Sequence, residues 1–542
     1  MMDGACPPLA SGQWRTWQDV QWSEVPDASR LQVWAYAGQP SYLPGEIAAI
    51  HTSTNADEIE ITIVHDGASP RVLAQLGPQK GAWFDTPADA PSGGCGWPAT
   101  FTLKIGDDWP SGGYLVCARA RRGSEEVSQD AFFAVRTSPE RRSPLALILS
   151  TYTWSAYNDW GGASSYTALR DQFPGSFSPA LSLMRPWSRG QVRCPVGAPR
   201  FGSVINPPIG WAVRHEWTEW AFANGYAHWS ASAGWARYDG LMAKWLESEG
   251  IEFDVVTQWD LDRDSQILDG YACVITSGHD EYWSAVGRAV LAAHLARGGH
   301  HARFGGNIMW QVRADAQTQT TECYKFLSDE DPQRHGPVSQ RTGAFEGPAI
   351  DLPPVIEFGG NGTRGMYAGW GGASIRGSRG FTIFRPQHWA FEGLDAYFGE
   401  VIGSASNLVS YEVDGVDYNM VHGLPYPTGL DGTPDSLEIL ALTPTVAFEE
   451  DHGNPGSQFD PLENDLAGVA SLRYGSDTPG NRDRCRYGAG MITSMKYRAT
   501  LTTGSGEVFC AGSTEWPASL ASGDRACVTI TRNVLHRFVG AQ

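Results

Sequence analysis

The sequence predicts two kinds of domain in succession: a β-sandwich of immunoglobulin-like type, then an α/β domain built on a parallel sheet. The sandwich is predicted because residues 29–137 contain several short strand-like stretches separated by turns rich in proline and glycine. The parallel sheet is predicted because residues 138–542 begin with alternating apolar strands and amphipathic helices. A chain of 542 residues is too long for one hydrophobic core, so more than one domain is expected.

The strand pattern changes character at a short linker. Apolar residues alternate with polar ones in Ile59–Val64, as expected for a strand with one buried face. The run Leu145–Ser150 is almost wholly apolar, which is typical of a strand buried on both faces of a parallel sheet. We therefore place a linker at Ser138–Pro144, and we treat residues 1–28, which show no clear periodicity, as a separate N-terminal segment.

Three further strands and two helices, the first of them at Arg237–Glu249, complete the predicted core of the α/β domain. The strands are Phe253–Thr257, Tyr271–Thr276 and His301–Gly305. Ser284 is predicted to cap a helix that ends at Gly298. The apolar stripe of this helix is predicted to consist of Val286, Ala289, Val290 and Ala293. From about Phe381 onward strand-like pieces return, and we interpret them as a C-terminal β-rich elaboration of the same domain.

Composition limits the classes of partner. The chain carries 60 acidic and 40 basic residues, a formal net charge of -20, which argues against nucleic acid as a partner. No stretch reaches the roughly 18 apolar residues that a membrane-spanning helix needs, so no membrane association is expected. The chain does not open with a basic stretch followed by an apolar one, and its nine cysteines form no CxxC pair. Reduced thiols and a cytoplasmic location are therefore expected.

The ends of three predicted strands carry residues that could do chemistry. They are Tyr152 and Tyr157 after the first strand of the α/β domain, His279 and Glu281 after the third, and Asn307 after the fourth. In an open parallel sheet, ligands bind at the carboxyl ends of the strands, so we expect these loops to converge on one crevice. The 22 tryptophans favour an aromatic-lined pocket for a small ligand.

Most of these residues have two interpretations on sequence alone. Glu281 lies just before the helix capped by Ser284, where it either binds a hard cation or merely caps the helix. Tyr157 is either a phenolate, which at neutral pH needs a bound cation, or a buried hydrogen-bonded phenol. Asn307, after two glycines, either stabilises an oxyanion or occupies a turn with positive φ. The imidazole of His279 is suited to proton transfer.

Five segments carry a resemblance that extends over much of the chain. They are Thr151–Gly162, Leu181–Pro186, Gly278–Ser284, Gly305–Asn307 and Tyr411–Asp414. In order and rough spacing, over about residues 140–520, they resemble the large subunit of N,N-dimethylformamidase. The block around His279 is the most specific of the five, and the preceding β-sandwich also fits this family.

The resemblance implies a fold, an activity and a set of site residues. The catalytic domain of that family is similar to class I glutamine amidotransferases but lacks their cysteine nucleophile. It holds a single ferric ion through two tyrosines and one glutamate, for which Tyr157 and Glu281 match. His279, Asn307 and Glu412 match the acid–base and supporting residues, and the substrate would be a small amide. The family also has a small accessory subunit, and the acidic surface permits homo-oligomers.

The chain departs from the family at the second ligand tyrosine. That tyrosine is expected near Arg185-Pro186, but Trp187 follows, and its neutral indole has no lone pair for a metal. Tyr152 could serve instead, or the site holds a different metal or none. The family's lectin-like domain is also predicted to be missing, which allows a different substrate and no accessory subunit. The alternatives to an iron-dependent amidase are a small-molecule-binding protein with a lost metal site and a metal-independent hydrolase of another carbon–nitrogen bond.

Overall fold

The computed structural model describes residues 23–167, 177–200, 216–227, 229–367, 379–446, 465–497 and 506–540. Of the predicted N-terminal segment, therefore, only residues 23–28 are described. Across the described ranges, no helix is both long and apolar enough to cross a membrane. The eight cysteines within these ranges are all free thiols.

Two β-sheets share one core at the start of the described chain. Their strands are β1 (Val33–Ala37), β2 (Ser41–Tyr42), β3 (Ile47–Thr54), β4 (Glu58–His65), β5 (Arg71–Lys80), β6 (Ala99–Lys104), β7 (Gly112–Arg122) and β8 (Glu125–Val135). One sheet has the order β1-β3-β6 and the other the order β2-β8-β7-β4-β5. Ile59, Ile61 and Ile63 alternate with less buried residues along β4, and they lie in one hydrophobic cluster with Val33 and Ala35 of the other sheet. The immunoglobulin-like type stays a prediction.

A large mixed sheet organises the rest of the chain. The remaining strands are β9 (Leu145–Leu149), β10 (Ala180–Ser182), β11 (Asp254–Thr257), β12 (Cys273–His279), β13 (Tyr282–Ser284), β14 (His300–Gly306), β15 (Trp310–Asp315), β16 (Thr320–Glu322), β17 (Gly343–Ala344), β18 (Met366–Tyr367), β19 (Phe381–Ile383), β20 (Val401–Ile402), β21 (Glu412–Gly415), β22 (Tyr418–Val421), β23 (Leu424–Pro427), β24 (Glu438–Val446), β25 (Tyr487–Lys496) and β26 (Glu507–Cys510). The main sheet has the order β11-β9-β12-β14-β26-β25-β24-β18-β21. The first five of these strands pair in parallel and the later ones antiparallel. Its likeness to class I glutamine amidotransferases stays a prediction.

Strand β9 shows why the parallel part of this sheet forms an apolar run in the sequence. Leu145, Leu147 and Leu149 lie in one buried cluster. Ala146 and Ile148 lie in a second buried cluster. Successive residues of a strand point to opposite faces, so the two clusters cover β9 on both sides.

Helices provide the layers that cover the sheets. They are α1 (Ala90–Gly93), α2 (Thr151–Tyr157), α3 (Glu216–Asn224), α4 (Gly240–Ser248), α5 (Gln258–Arg263), α6 (Ala285–Ala296), α7 (Val355–Phe358), α8 (Gly362–Gly365), α9 (Asp465–Tyr474), α10 (Pro479–Cys485), α11 (Trp516–Ala521) and α12 (Arg525–Val539). Ser284 caps α6 as predicted, because its Oγ accepts a 2.8 Å hydrogen bond from the backbone nitrogen of Gly287. The predicted apolar stripe is confirmed at Val290, which is buried, and wrong at Val286, which is 44% exposed; the buried face continues through Leu291 and Leu295. Burying two leucines removes more apolar area from water than burying a valine with alanines, and this decides which face packs.

Candidate active site

The carboxyl ends of β9, β12 and β14 lie side by side, because these strands are neighbours in the parallel part of the sheet. The chain turns from β9 into α2, whose last residue is Tyr157. His279 ends β12, Glu281 follows shortly after it, and Asn307 directly follows β14. Glu412, the first residue of β21, reaches the same edge and contacts His279. The structure therefore brings these five predicted residues together.

Glu281 lies at the centre of this group. Its buried carboxylate accepts hydrogen bonds at Oε2 from the Oη atoms of Tyr157 (3.0 Å) and Tyr166 (2.9 Å), and at Oε1 from Nε1 of Trp310 (2.6 Å). Burial would raise the pKa of Glu281, but the hydrogen bond and the charge of His279 outweigh it and lower the pKa. The carboxylate is therefore ionised and is held by several fixed donors.

His279 lies between two carboxylates. Its Nε2 is 2.8 Å from Oε2 of Glu412 and 3.4 Å from Oε2 of Glu281, while its Nδ1 is 2.6 Å from the carbonyl oxygen of Ser232. A carbonyl oxygen only accepts hydrogen bonds, so Nδ1 carries a proton and Nε2 is the nitrogen that can exchange one. Burial alone would lower the pKa of His279, but the two carboxylates outweigh it and raise the pKa to about 10. The surrounding negative charge therefore favours the imidazolium form.

Asn307 occupies a turn and also reaches the site. Its φ is 65°, in the left-handed region that asparagine tolerates better than most residues. Its side chain is buried, and its Nδ2 lies 3.3 Å from Nε2 of His279. Gly306 permits this close packing, because a Cβ there would lie 2.9 Å from the backbone nitrogen of Thr514. The carboxamide of Asn307 is therefore in direct contact with the imidazole of His279.

Tyr152 does not join this group, contrary to the prediction that it replaces the second ligand tyrosine. Its Oη donates a 2.7 Å hydrogen bond to Oδ2 of Asp262. Tyr152 and Tyr157 are five residues apart on α2, and at about 100° per residue their side chains leave the helix on different sides. Trp187 packs against Trp154, with ring centroids 6.1 Å apart.

Tyr166 is the site residue that the sequence prediction missed. It lies in a turn closed by a backbone bridge between Ser164 and Thr167. Its ring stacks on that of Tyr157, with centroids 4.3 Å apart. The one signal in the sequence was a second tyrosine shortly after Tyr157, in a segment without periodicity. Trp310 of β15, which also bonds to Glu281, was likewise given no role by the sequence prediction.

A buried ion triad behind the site joins three of its strands. Arg303 of β14 bonds to Asp280, which follows β12, and to Asp414 of β21 at 3.1 Å. Asp414 also accepts a 2.9 Å hydrogen bond from the backbone nitrogen of Ile308. All three charged side chains of the triad are fully buried. The triad therefore fixes the relative positions of the segments that carry the acid–base side chains.

Three oxygen atoms of the site are spaced like the ligands of a small hard cation. The Oη atoms of Tyr157 and Tyr166 lie 3.0 and 2.9 Å from Oε2 of Glu281. Octahedral ligands that are about 2.0–2.1 Å from a cation lie about 2.9 Å from one another. Burial and the charge of Glu281 raise the pKa of both phenols well above 10, so without a cation both are protonated. Among the described residues, no three histidine, cysteine, aspartate or glutamate side chains form a metal-binding group.

Buried acid–base side chains beside a cluster of phenol and carboxylate oxygens define a site of the kind found in hydrolases. The chain belongs to the family described as N,N-dimethylformamidase beta subunit-like, C-terminal, whose family model matches residues 64–529. The match includes every residue of the site, and it confirms the resemblance predicted from the sequence segments. Membership of this family implies a hydrolase that acts on amides. A comparison with curated proteins gave no match.

Proposed function

We propose that the protein is an iron-dependent hydrolase of the carbon–nitrogen bond in a small amide. The observation that carries the proposal is that two phenols lie within hydrogen-bond distance of the Glu281 carboxylate, beside the pair formed by His279 and Glu412. Tyr157 and Glu281, together with a second phenolate, would hold a mononuclear ferric ion, since phenolate and carboxylate oxygens suit a hard cation and tyrosine is a known ligand of iron.

The acid–base residues would move the protons of the reaction. When bound, the ion would polarise the amide carbonyl and acidify a water molecule. With Nδ1 held by Ser232, the neutral form of His279 can take a proton from that water at Nε2 and deliver it to the leaving amine. A bound cation would favour this neutral form, because its charge opposes the two carboxylates that raise the pKa of His279. Glu412, 2.8 Å from Nε2, would stabilise the imidazolium that exists between these two events. Asn307 would donate a hydrogen bond to the developing oxyanion.

Aromatic side chains around the site favour an amide with apolar substituents. Trp229 packs against the rings of Tyr157 and Tyr166, with centroids 5.7 and 4.9 Å away. Tyr411 lies edge-on to His279 at 5.6 Å. Such walls bind apolar groups, for example the N-alkyl or N-aryl group of an amide. An accessory subunit, homo-oligomers and a cytoplasmic location remain predictions.

A panel of formamides, acetamides and anilides tests this function. We expect the purified protein to release amine from at least one class, to lose this turnover after exhaustive chelation, and to regain it when ferric iron is added. Turnover that survives complete chelation would favour a metal-independent hydrolase. Ligand binding without turnover, by protein that holds no iron after reconstitution, would favour the alternative of a binding protein with a lost metal site.

Replacing Asn307 with glycine separates the two roles of this residue. Glycine adopts positive φ freely, so the Tm in thermal unfolding should stay close to that of the wild type. Loss of the carboxamide should lower kcat by about 10²- to 10³-fold if that group stabilises the oxyanion. Steady-state kinetics on the best amide of the panel measures this effect. An unchanged kcat would show that Asn307 only forms the turn and does not stabilise the oxyanion.

A further inference from the structure

The motif expected to carry the second ligand tyrosine instead supports the segment that contains Tyr166. Arg185 is buried, and its guanidinium donates to the backbone carbonyls of Asn158 at 2.7 Å and Ala163 at 3.3 Å, as well as to that of Trp160. A buried guanidinium that donates to three carbonyls of one segment restricts that segment, because any movement of the segment would break several charge-assisted hydrogen bonds at once. The Arg-Pro motif thus fixes the chain just before the turn that presents Tyr166.

The oxygen of Tyr166 is well placed to share a cation with Glu281. Its Oη lies 3.0 Å from Oε1 and 2.9 Å from Oε2 of Glu281, and 2.9 Å from Oη of Tyr282. The rings of Tyr157 and Tyr166 stack at 26°, and both hydroxyl groups reach the same carboxylate oxygen, Oε2 of Glu281. A single cation could therefore contact both phenols and the carboxylate.

Lys325 covers a face of the Tyr166 ring. Its Nζ is 3.7 Å from the ring centroid, well within the range of a cation–π contact, and it also donates a 3.2 Å hydrogen bond to the carbonyl oxygen of Ser165. The φ of Lys325 is 52°, a backbone conformation that persists in a residue with a side chain only where the surroundings compensate for it. An ammonium group attracts a phenolate ring more strongly than a phenol ring, because the phenolate ring carries more negative charge.

We propose that Tyr166, held by Lys325, is the second phenolate ligand of the metal in this protein. It would take the place of the tyrosine expected near the Arg-Pro motif, where Trp187 stands. This assignment rests on the proposed iron-dependent function and adds the identity of one ligand to it. Tyr152 leaves α2 on another side, where its Oη bonds to Asp262 rather than to Glu281.

Iron binding and visible absorption of three proteins test the assignment. Ferric iron bound to phenolate absorbs visible light through charge transfer, so each ligand tyrosine contributes to the band. We expect reconstituted wild-type protein to show this band and Tyr166→Phe to lose much of it. Tyr166→Phe should also bind ferric iron at least about tenfold more weakly, since even the hydrogen-bond partners of ligands contribute this much. Tyr152→Phe, the matched control, should equal the wild type in both measurements.

Lys325→Met is a second variant that tests the assignment even if Tyr166→Phe fails to fold. Loss of the ammonium group should leave iron bound and shift the band to lower energy, because the phenolate then gives up an electron more easily. Lys325→Arg keeps the charge and should shift the band less. A band that is unchanged in Tyr166→Phe and Lys325→Met would overturn the assignment but leave the iron-dependent function standing. Wild-type protein that binds no ferric iron would overturn both.

Discussion

Replacing Glu281 with glutamine is expected to remove bound iron and amide hydrolysis together. Of the three proposed ligand groups, Glu281 alone is ionised without a cation. Tyr157 and Tyr166 stay protonated because they are buried and because the negative charge of Glu281 opposes a second negative charge beside it. Glutamine has nearly the same shape and can still accept the hydrogen bond from Trp310, so the fold should persist. Because loss of a ligand's hydrogen-bond partner already weakens metal binding about 10- to 100-fold, loss of the ligand charge should weaken it further. Iron per chain and turnover are measured on the same preparation.

Glu412→Gln is the matched control for this prediction, because Glu412 also contacts Nε2 of His279, at 2.8 Å. Glutamine there no longer stabilises the imidazolium, so turnover should fall by about 10²- to 10⁴-fold while the iron content stays at the wild-type value. Equal loss of iron in the two variants would contradict the separate roles given to Glu281 and Glu412. Full iron content and turnover in Glu281→Gln would contradict the ligand assignment itself.

Arg303→Met should be the most destabilising of these substitutions. It leaves Asp280 and Asp414 buried without their counter-charge, and removing one partner of a buried ion pair costs about 3–5 kcal/mol. The triad also sets the spacing of β12, β14 and β21, so the iron affinity of the folded fraction should fall as well. Urea unfolding gives the free energy of unfolding, and iron titration in the absence of urea gives the affinity.

Arg119→Met is the control for Arg303→Met. Arg119 is 51% exposed on β7 and pairs with Glu60 at 3.6 Å. Exposed ion pairs contribute about 0–1 kcal/mol, so this variant should unfold close to the wild type and bind iron equally well. Similar small losses of stability in the two variants would show that the buried triad does not hold the strand ends in place.

The parts of the molecule that follow from strong local patterns could be predicted from the sequence. The apolar run of β9 results from burial on both faces, and the cap at Ser284 follows from its position before a helix. The approach of His279, Glu281 and Asn307 was predictable for a topological reason, since neighbouring parallel strands end at the same edge of a sheet.

The rest of the site depends on contacts between distant segments, which no local pattern encodes. Tyr166 and Lys325 lie in irregular segments, and Tyr166 reaches Glu281 because Arg185 bonds to the backbone carbonyls that precede its turn. Tyr152, predicted as a ligand, lies on another side of α2 from Tyr157, and the sequence pattern did not predict the helix that separates them. The triad on Arg303 was equally hidden, since its three members come from separate segments of the chain.

Anomalous diffraction at the iron absorption edge, from crystals loaded with ferric iron, tests the central claim most directly. The claim is that one cation is shared by the oxygens of Tyr157, Tyr166 and Glu281. We predict a single strong peak at a bonding distance of about 2 Å from each of these oxygens. A peak at another place in the chain would contradict the claim. So would crystals soaked in ferric iron that show no peak beside Glu281 and in which Glu281 keeps its hydrogen bonds to both phenols.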